Sequence, residues 1–257
     1  MSVDYEVSGH VARVTINRPE RLNAVDAAAH SRLAEIWQDV EANPDIRCAV
    51  LTGAGSKAFC AGADLKEDSG RSGVDYWKNI TASGFQGIAL RQMSTPVIAR
   101  VNGLALGGGL EMVLGCDIVL AAETARFGLP EAKVGRVPLD GGMVLLSRLI
   151  PRNIAMGMMM TGRLLAAAEM ERYGLVNAIV PPERLDEETD RWVADLLSCA
   201  PLSLRAIKAI SRQTAHMPVQ EAFQYPTAEL DAALRSDDAD EGVAAFREKR
   251  APVWKGR

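Results

Sequence analysis

Residues 97–122, "VIARVNGLALGGGLEMVLGCDIVLAA", constrain the fold more than any other stretch. The run is too apolar to sit on a surface, so it belongs in a core. It is no bilayer span, because Arg100, Asn102, Glu111 and Asp117 interrupt the roughly 20 apolar residues such a span needs. Gly107, Gly108 and Gly109 cut the run in two. A strand over 95–103 with Pro96 near its start precedes them, a helix over about 107–115 follows, and a short strand over 117–122 comes next.

The same alternation recurs through the first two thirds. "VDYEV" and "VARVTIN" read as strands joined by a turn at 8–10, and Pro19 stops the second. Asp26 can cap a helix running to about Asn43, with Leu33, Ile36, Trp37 and Val40 on one face. Residues 46–53 read as a buried strand, 67–75 as a polar connection, 76–93 as helix and 125–131 as a shorter strand. Strand, turn and helix in this order predict an α/β fold. From 139 onward helices dominate, over 140–150, 153–160, 166–173, 183–199, 202–214, 218–235 and 237–249. The expected division is a core over 1–195 that holds the site and a helical oligomerisation region over 196–257.

Several function classes are disfavoured. A net charge of −4 over 257 residues gives no broad footprint for nucleic acid. His10, His30 and His216 lie apart, which disfavours a histidine metal site and a Ser–His–Asp set. Cys48, Cys60, Cys116 and Cys199 form no CxxC pair, and the start of the chain lacks the pattern of a signal peptide. A reduced, cytoplasmic protein is expected.

The chemistry points back to the glycines. A helix N-terminus offers unpaired N–H groups, and glycine lets a ligand approach them. These N–H groups suit a phosphate or a developing oxyanion. No Lys and hydroxyl follow in the order a phosphate loop requires. Glu111, set between Leu110 and Met112, is at hand as an acid or base, although a carboxylate in a first helical turn is also favoured by the helix dipole alone. Glu131 after Pro130 is a second carboxylate in apolar surroundings, and it too has an ordinary reading as a cap. The turn of Ala61, Gly62, Ala63 and Asp64 offers another backbone donor, or is an ordinary turn.

"INRPERLNAV" (16–25), "FCAGADLKE" (59–67), residues 96–122, "ARFGLPEAKVGRVP" (125–138), "TGRLLAAAEMERYGLVNAIVP" (161–181) and "AFREKR" (245–250) together resemble the enoyl-CoA hydratase/isomerase (crotonase) family over nearly the full length. The resemblance implies the ClpP/crotonase-like spiral of strand–strand–helix units with a helical C-terminal trimerisation region. It implies an acyl-CoA substrate whose thioester oxygen is gripped by the Ala63 and Gly108 N–H groups, with Glu111 and Glu131 as the catalytic carboxylates. It also implies coenzyme A lying along Ala63, Asp64, Leu65 and Lys66, with Arg18 and Arg21 as weaker candidates for its phosphates.

No metal or redox cofactor is implied, since coenzyme A belongs to the substrate. Homotrimers or homohexamers are implied, with Phe246 and Lys249 near a neighbour's CoA, and neither nucleic acid nor membrane is an implied partner. Within the family, "LPEAKVGRVP" (129–138) and residues 237–257 resemble the carnitinyl-CoA dehydratase branch. That branch carries an acidic residue directly after the proline, where this chain has Leu139 and then Asp140. Asp140 is either a helix cap or an acyl-pocket carboxylate that favours a polar or cationic group, with Trp77 or Tyr76 beside it. The expected activity is reversible hydration of a 2-enoyl-CoA. Enoyl-CoA isomerisation, thioester hydrolysis and RNA binding are the rivals.

Overall fold

The computed structural model describes residues 2–64, 66, 72–80, 84–90 and 93–257. Strands β1 (Val3–Ser8) and β2 (Val11–Ile16) form the expected antiparallel hairpin, with Val3 opposite Ile16. Helix α1 (Ala27–Ala42) follows, and the Asp26 carboxylate accepts the Ala29 N–H at 2.7 Å. Leu33, Ile36, Trp37 and Val40 are buried, as their spacing requires.

The chain then winds three times through one unit. Strand β3 (Cys48–Gly53) turns a corner into β4 (Ala58–Cys60), β5 (Val97–Val101) into β6 (Leu104–Leu106), and β7 (Ile118–Ala122) into β8 (Arg126–Gly128). The first strand of each pair joins a six-stranded sheet in the order β1-β2-β3-β5-β7-β10, where β10 is Ala178–Val180. The second joins a four-stranded sheet in the order β4-β6-β8-β9, where β9 is Leu165–Ala166. Within the three turns the pairing is parallel, so each turn of the spiral adds one strand to each sheet. This is the α/β crotonase spiral, with helices α2 (Gly73–Lys78) after β4 and α3 (Gly108–Gly115) after β6.

Four predicted elements change. The helix expected over 76–93 is α2 and then a short 3-10 turn at Phe85–Gly87, because Gly84 and Gly87 adopt positive φ. The helix expected over 140–150 opens with Gly141 at φ +117° and a π-helical segment, Gly142–Leu146. The helix expected over 218–235 splits into Val219–Ala222 and Ala228–Leu234 around Pro226. The strand expected over 125–131 is Arg126–Gly128 alone, and Glu131 opens a 3-10 turn.

Helix Pro201–Gln213 seats on the end of α3. Buried Lys208 donates to the Thr95 carbonyl at 2.7 Å and to Asp117 at 2.6 Å, and Arg212 donates to the Gly115 carbonyl at 2.8 Å. A cation on the last carbonyls of a helix is favoured by its dipole, so this contact fixes α3 from below. Among the described residues no helix is long and apolar enough to cross a membrane.

Candidate active site

Strand register assembles the site. Ala63 lies three residues beyond β4, Gly108 two beyond β6, and Glu131 three beyond β8. Adjacent parallel strands stand about 4.8 Å apart, so the ends of three successive strands form one row. A Cβ on Gly62 would stand 3.2 Å from the Gly108 nitrogen, and a Cβ on Gly107 would stand 3.2 Å from Glu131 Oε1. The Gly107 N–H donates to the Gly128 carbonyl at 2.9 Å, which ties the second and third turns together.

Two backbone donors face this row. Val25 donates to the Gly62 carbonyl at 2.9 Å and accepts from the Asp64 N–H at 3.0 Å. In such a parallel bridge the residue between, Ala63, turns its own N–H to the opposite side. Gly108 is the first residue of α3, where an N–H has no carbonyl one turn back to bond. The glycines are needed for closeness. A Cβ on Gly109 would lie 2.1 Å from the Cys60 carbonyl oxygen, and one on Gly108 would lie 2.5 Å from the Phe85 ring.

Glu111 sits in the first turn of α3 and is only 3% exposed. Its Oε1 accepts the Gly142 N–H at 2.9 Å. Burial pushes its carboxyl up to about 8, helped by the charges of Asp140 and Glu131 and opposed by backbone N–H donors from Gly142 and Asp140. Glu131 is raised by burial as well, and its Oε2 is buried with no partner. Twenty residues apart in sequence, the two carboxylates come close enough for the charge of Glu131 to push Glu111 further up.

Asp140 is no helix cap, because the segment after it has no side-chain cap bond. It is 4% exposed, and its Oδ2 accepts the Tyr76 hydroxyl at 2.7 Å. Trp77 does not join it: the ring is 61% exposed, and its neighbour Tyr76 makes the contact instead. Arg18 is spent within the fold, donating to the Ala24 carbonyl at 2.6 Å and pairing with Asp26 and Asp64. Asp64 is held below the usual carboxylate range by the Lys66 N–H and by Arg18. Lys66 is exposed beside it, Arg21 is exposed as well, and Leu65 lies outside the described residues.

Sequence reasoning missed the Phe85 ring against Gly108 and the Lys208–Asp117–Arg212 group under α3, neither of which has a local signal.

A family model described as enoyl-CoA hydratase/isomerase matches residues 6–257. The chain belongs to that family. It is 41% identical over 255 residues to a carnitinyl-CoA dehydratase of Salmonella typhi, covering 97% of each chain. It is 40% identical over 259 residues to an (E)-benzylidenesuccinyl-CoA hydratase of Thauera aromatica, covering all of both. Among solved structures, an enoyl-CoA hydratase from Mycobacterium tuberculosis H37Rv superposes with a TM-score of 0.91 at 34% identity, covering 100% of this chain and 99% of the other.

Proposed function

We propose that this enoyl-CoA hydratase-type lyase reversibly adds water across the 2,3 double bond of a 2-enoyl-CoA, with Glu111 and Glu131 as the acid–base pair. The observation that carries the reading is that buried Glu111 and half-buried Glu131, with its Oε2 enclosed, lie with the Ala63 and Gly108 turns at one end of the small sheet. Hydration needs one group to take a proton and another to give one, and two carboxylates at one site can fill both roles.

In the fraction of the enzyme that carries Glu111 ionised, its carboxylate takes a proton from water as the water oxygen bonds to C3. The electron pair of the double bond moves to the thioester oxygen, where the two N–H groups stabilise the charge. Protonated Glu131 gives its proton to C2, and the thioester carbonyl re-forms. The net transfer is one proton from Glu131 to Glu111, and its return resets the site. The step as written uses no metal or redox cofactor, and coenzyme A enters as part of the substrate along Ala63, Asp64 and Lys66.

The relatives' names favour a polar acyl group, carnitinyl-CoA among them, and the buried carboxylate of Asp140 suits a cationic one. Exposed Phe223, Leu234 and Phe246 on the C-terminal segments favour packing against further copies as a homotrimer or homohexamer, with Lys249 and Phe246 near a neighbour's CoA. Four free cysteines suit a reducing cytoplasm. The test is a panel of acyl-CoAs that includes crotonyl-CoA and crotonobetainyl-CoA, followed by loss of enoyl-thioester absorbance. Turnover of crotonobetainyl-CoA above crotonyl-CoA supports the carnitinyl reading. Hydration of neither, with the fold intact, overturns the proposed function.

A further inference from the structure

One buried carboxylate is left over by the two-glutamate scheme. Asp140 stands two residues before Gly142, whose N–H holds Glu111 Oε1, so a single turn carries both a partner of Glu111 and a second acid. The turn is tight: Gly141 has φ +117°, and a Cβ on Gly142 would lie 3.1 Å from Glu111 Oε1. The Asp140 side chain has one oxygen bonded to the Tyr76 hydroxyl, and the other, Oδ1, is buried with no partner at good hydrogen-bond geometry among the described residues. A carboxylate in this state is costly, and packing alone gives no reason for it.

We propose that Asp140, held in place by the Tyr76 hydroxyl, is a positioning residue that sets the protonation of Glu111 through the charge it places beside that side chain. This inference rests on the hydratase reading for its meaning in catalysis, although the coupling itself does not require turnover. Two effects act in series. Burial raises the Asp140 carboxyl, the Tyr76 hydroxyl opposes this by donating to it and favouring its ionised form, and Asp140 once ionised repels a charge on Glu111 and favours its protonated form. The other groups facing the cluster are Glu131 from the 3-10 turn, which also repels a charge on Glu111, and His30 of α1 with the Phe85 backbone N–H, which both favour ionised Asp140. Asp140 and Tyr76 thus decide what fraction of the enzyme carries Glu111 ready to accept a proton from water.

Two substitutions separate this from a purely structural tie. Asp140→Asn keeps an acceptor for the Tyr76 hydroxyl and removes the charge, whereas Tyr76→Phe keeps the charge site and removes the donor. The full-length protein, labelled with 13C at the Glu carboxyl carbons, is titrated by NMR without substrate, and the Glu111 signal is identified by its loss in Glu111→Gln. Asp140→Asn is expected to lower the Glu111 midpoint by about one pH unit or more, the size of a nearby charge effect. Tyr76→Phe is expected to move it the same way by less, because Asp140 then ionises less readily.

With crotonyl-CoA, whose acyl tail is neutral, the pH profile of kcat/KM is expected to shift in parallel. A parent enzyme inactive on every 2-enoyl-CoA would count against the hydratase reading, while the NMR midpoints would still decide the coupling. A Glu111 midpoint unchanged in folded Asp140→Asn overturns the inference. If that variant fails to fold, an unchanged midpoint in Tyr76→Phe overturns it instead.

Discussion

Glu111 stands where two differently built regions meet. On one side Ala63, Gly108 and Glu131 are placed by strand register, each at the end of one turn of the spiral. On the other side Asp140 is placed by an irregular turn and by one hydrogen bond from α2, from a residue 64 positions earlier. The first region sets backbone N–H groups beside the Glu131 carboxylate and fails when a Cβ intrudes. The second works through side chains and tolerates exchange at fixed shape. On the proposed function, the spiral edge carries the chemistry common to acyl thioesters, and the turn with α2 is where charge can be changed without rebuilding the sheets.

The largest effects should fall on the register-built side. Glu111→Gln and Glu131→Gln are each expected to lower hydration by at least roughly 100-fold with the circular dichroism unchanged, because each removes a positioned proton carrier. Near-parental turnover in either would remove that residue from the acid–base pair. Gly109→Ala drives a Cβ to within 2.1 Å of the Cys60 carbonyl, so the strand end must shift. The expected cost is about 2–3 kcal/mol, read as a lower thermal midpoint.

Glu111 also makes stability depend on pH. Its folded value of about 8 lies above the ordinary 4.5, so the folded state holds an extra proton between the two. Stability is therefore fully present below the ordinary value and falls as pH rises through that window. Glu111→Gln should remove this fall and gain on the order of 1–3 kcal/mol at the alkaline end, as seen by thermal unfolding at both ends of the window. The smallest effect belongs to the α2 side. Tyr76→Phe should cost no more than about 1 kcal/mol, the worth of one hydrogen bond. A loss as large as that of Gly109→Ala would show that α2 is as integral to the fold as the spiral edge.

What the sequence reveals follows the same division. The Asp26 cap, the hairpin at 8–10 and the buried face of α1 are local patterns, and the structure contains all three. Glu111 stood out because a carboxylate among Leu110, Met112 and Val113 needs a reason to be there. Strands β4, β6 and β9 have three residues or fewer, too short for an alternation to register, so the second sheet and the row it builds were not readable from periodicity. Gly84 and Gly87 look tolerable in a helix until their positive φ shows that the chain leaves it there. Asp140 looked equally like a cap and a pocket acid, because the Tyr76 hydroxyl that decides its place is distant in sequence. The resemblance to known hydratases supplied what periodicity could not, namely which strand ends meet.

Addition of water across an enoyl thioester between Glu111 and Glu131 is read out by running the reaction in heavy-oxygen water. A panel of 2-enoyl-CoAs is incubated with the parent and with Glu111→Gln, and the products are weighed by mass spectrometry. The parent is expected to yield a 3-hydroxyacyl-CoA carrying one heavy oxygen at C3, and the variant to form it far more slowly. A double bond that migrates without gain of oxygen, or a free acid and free coenzyme A carrying the label in the carboxylate, would contradict it.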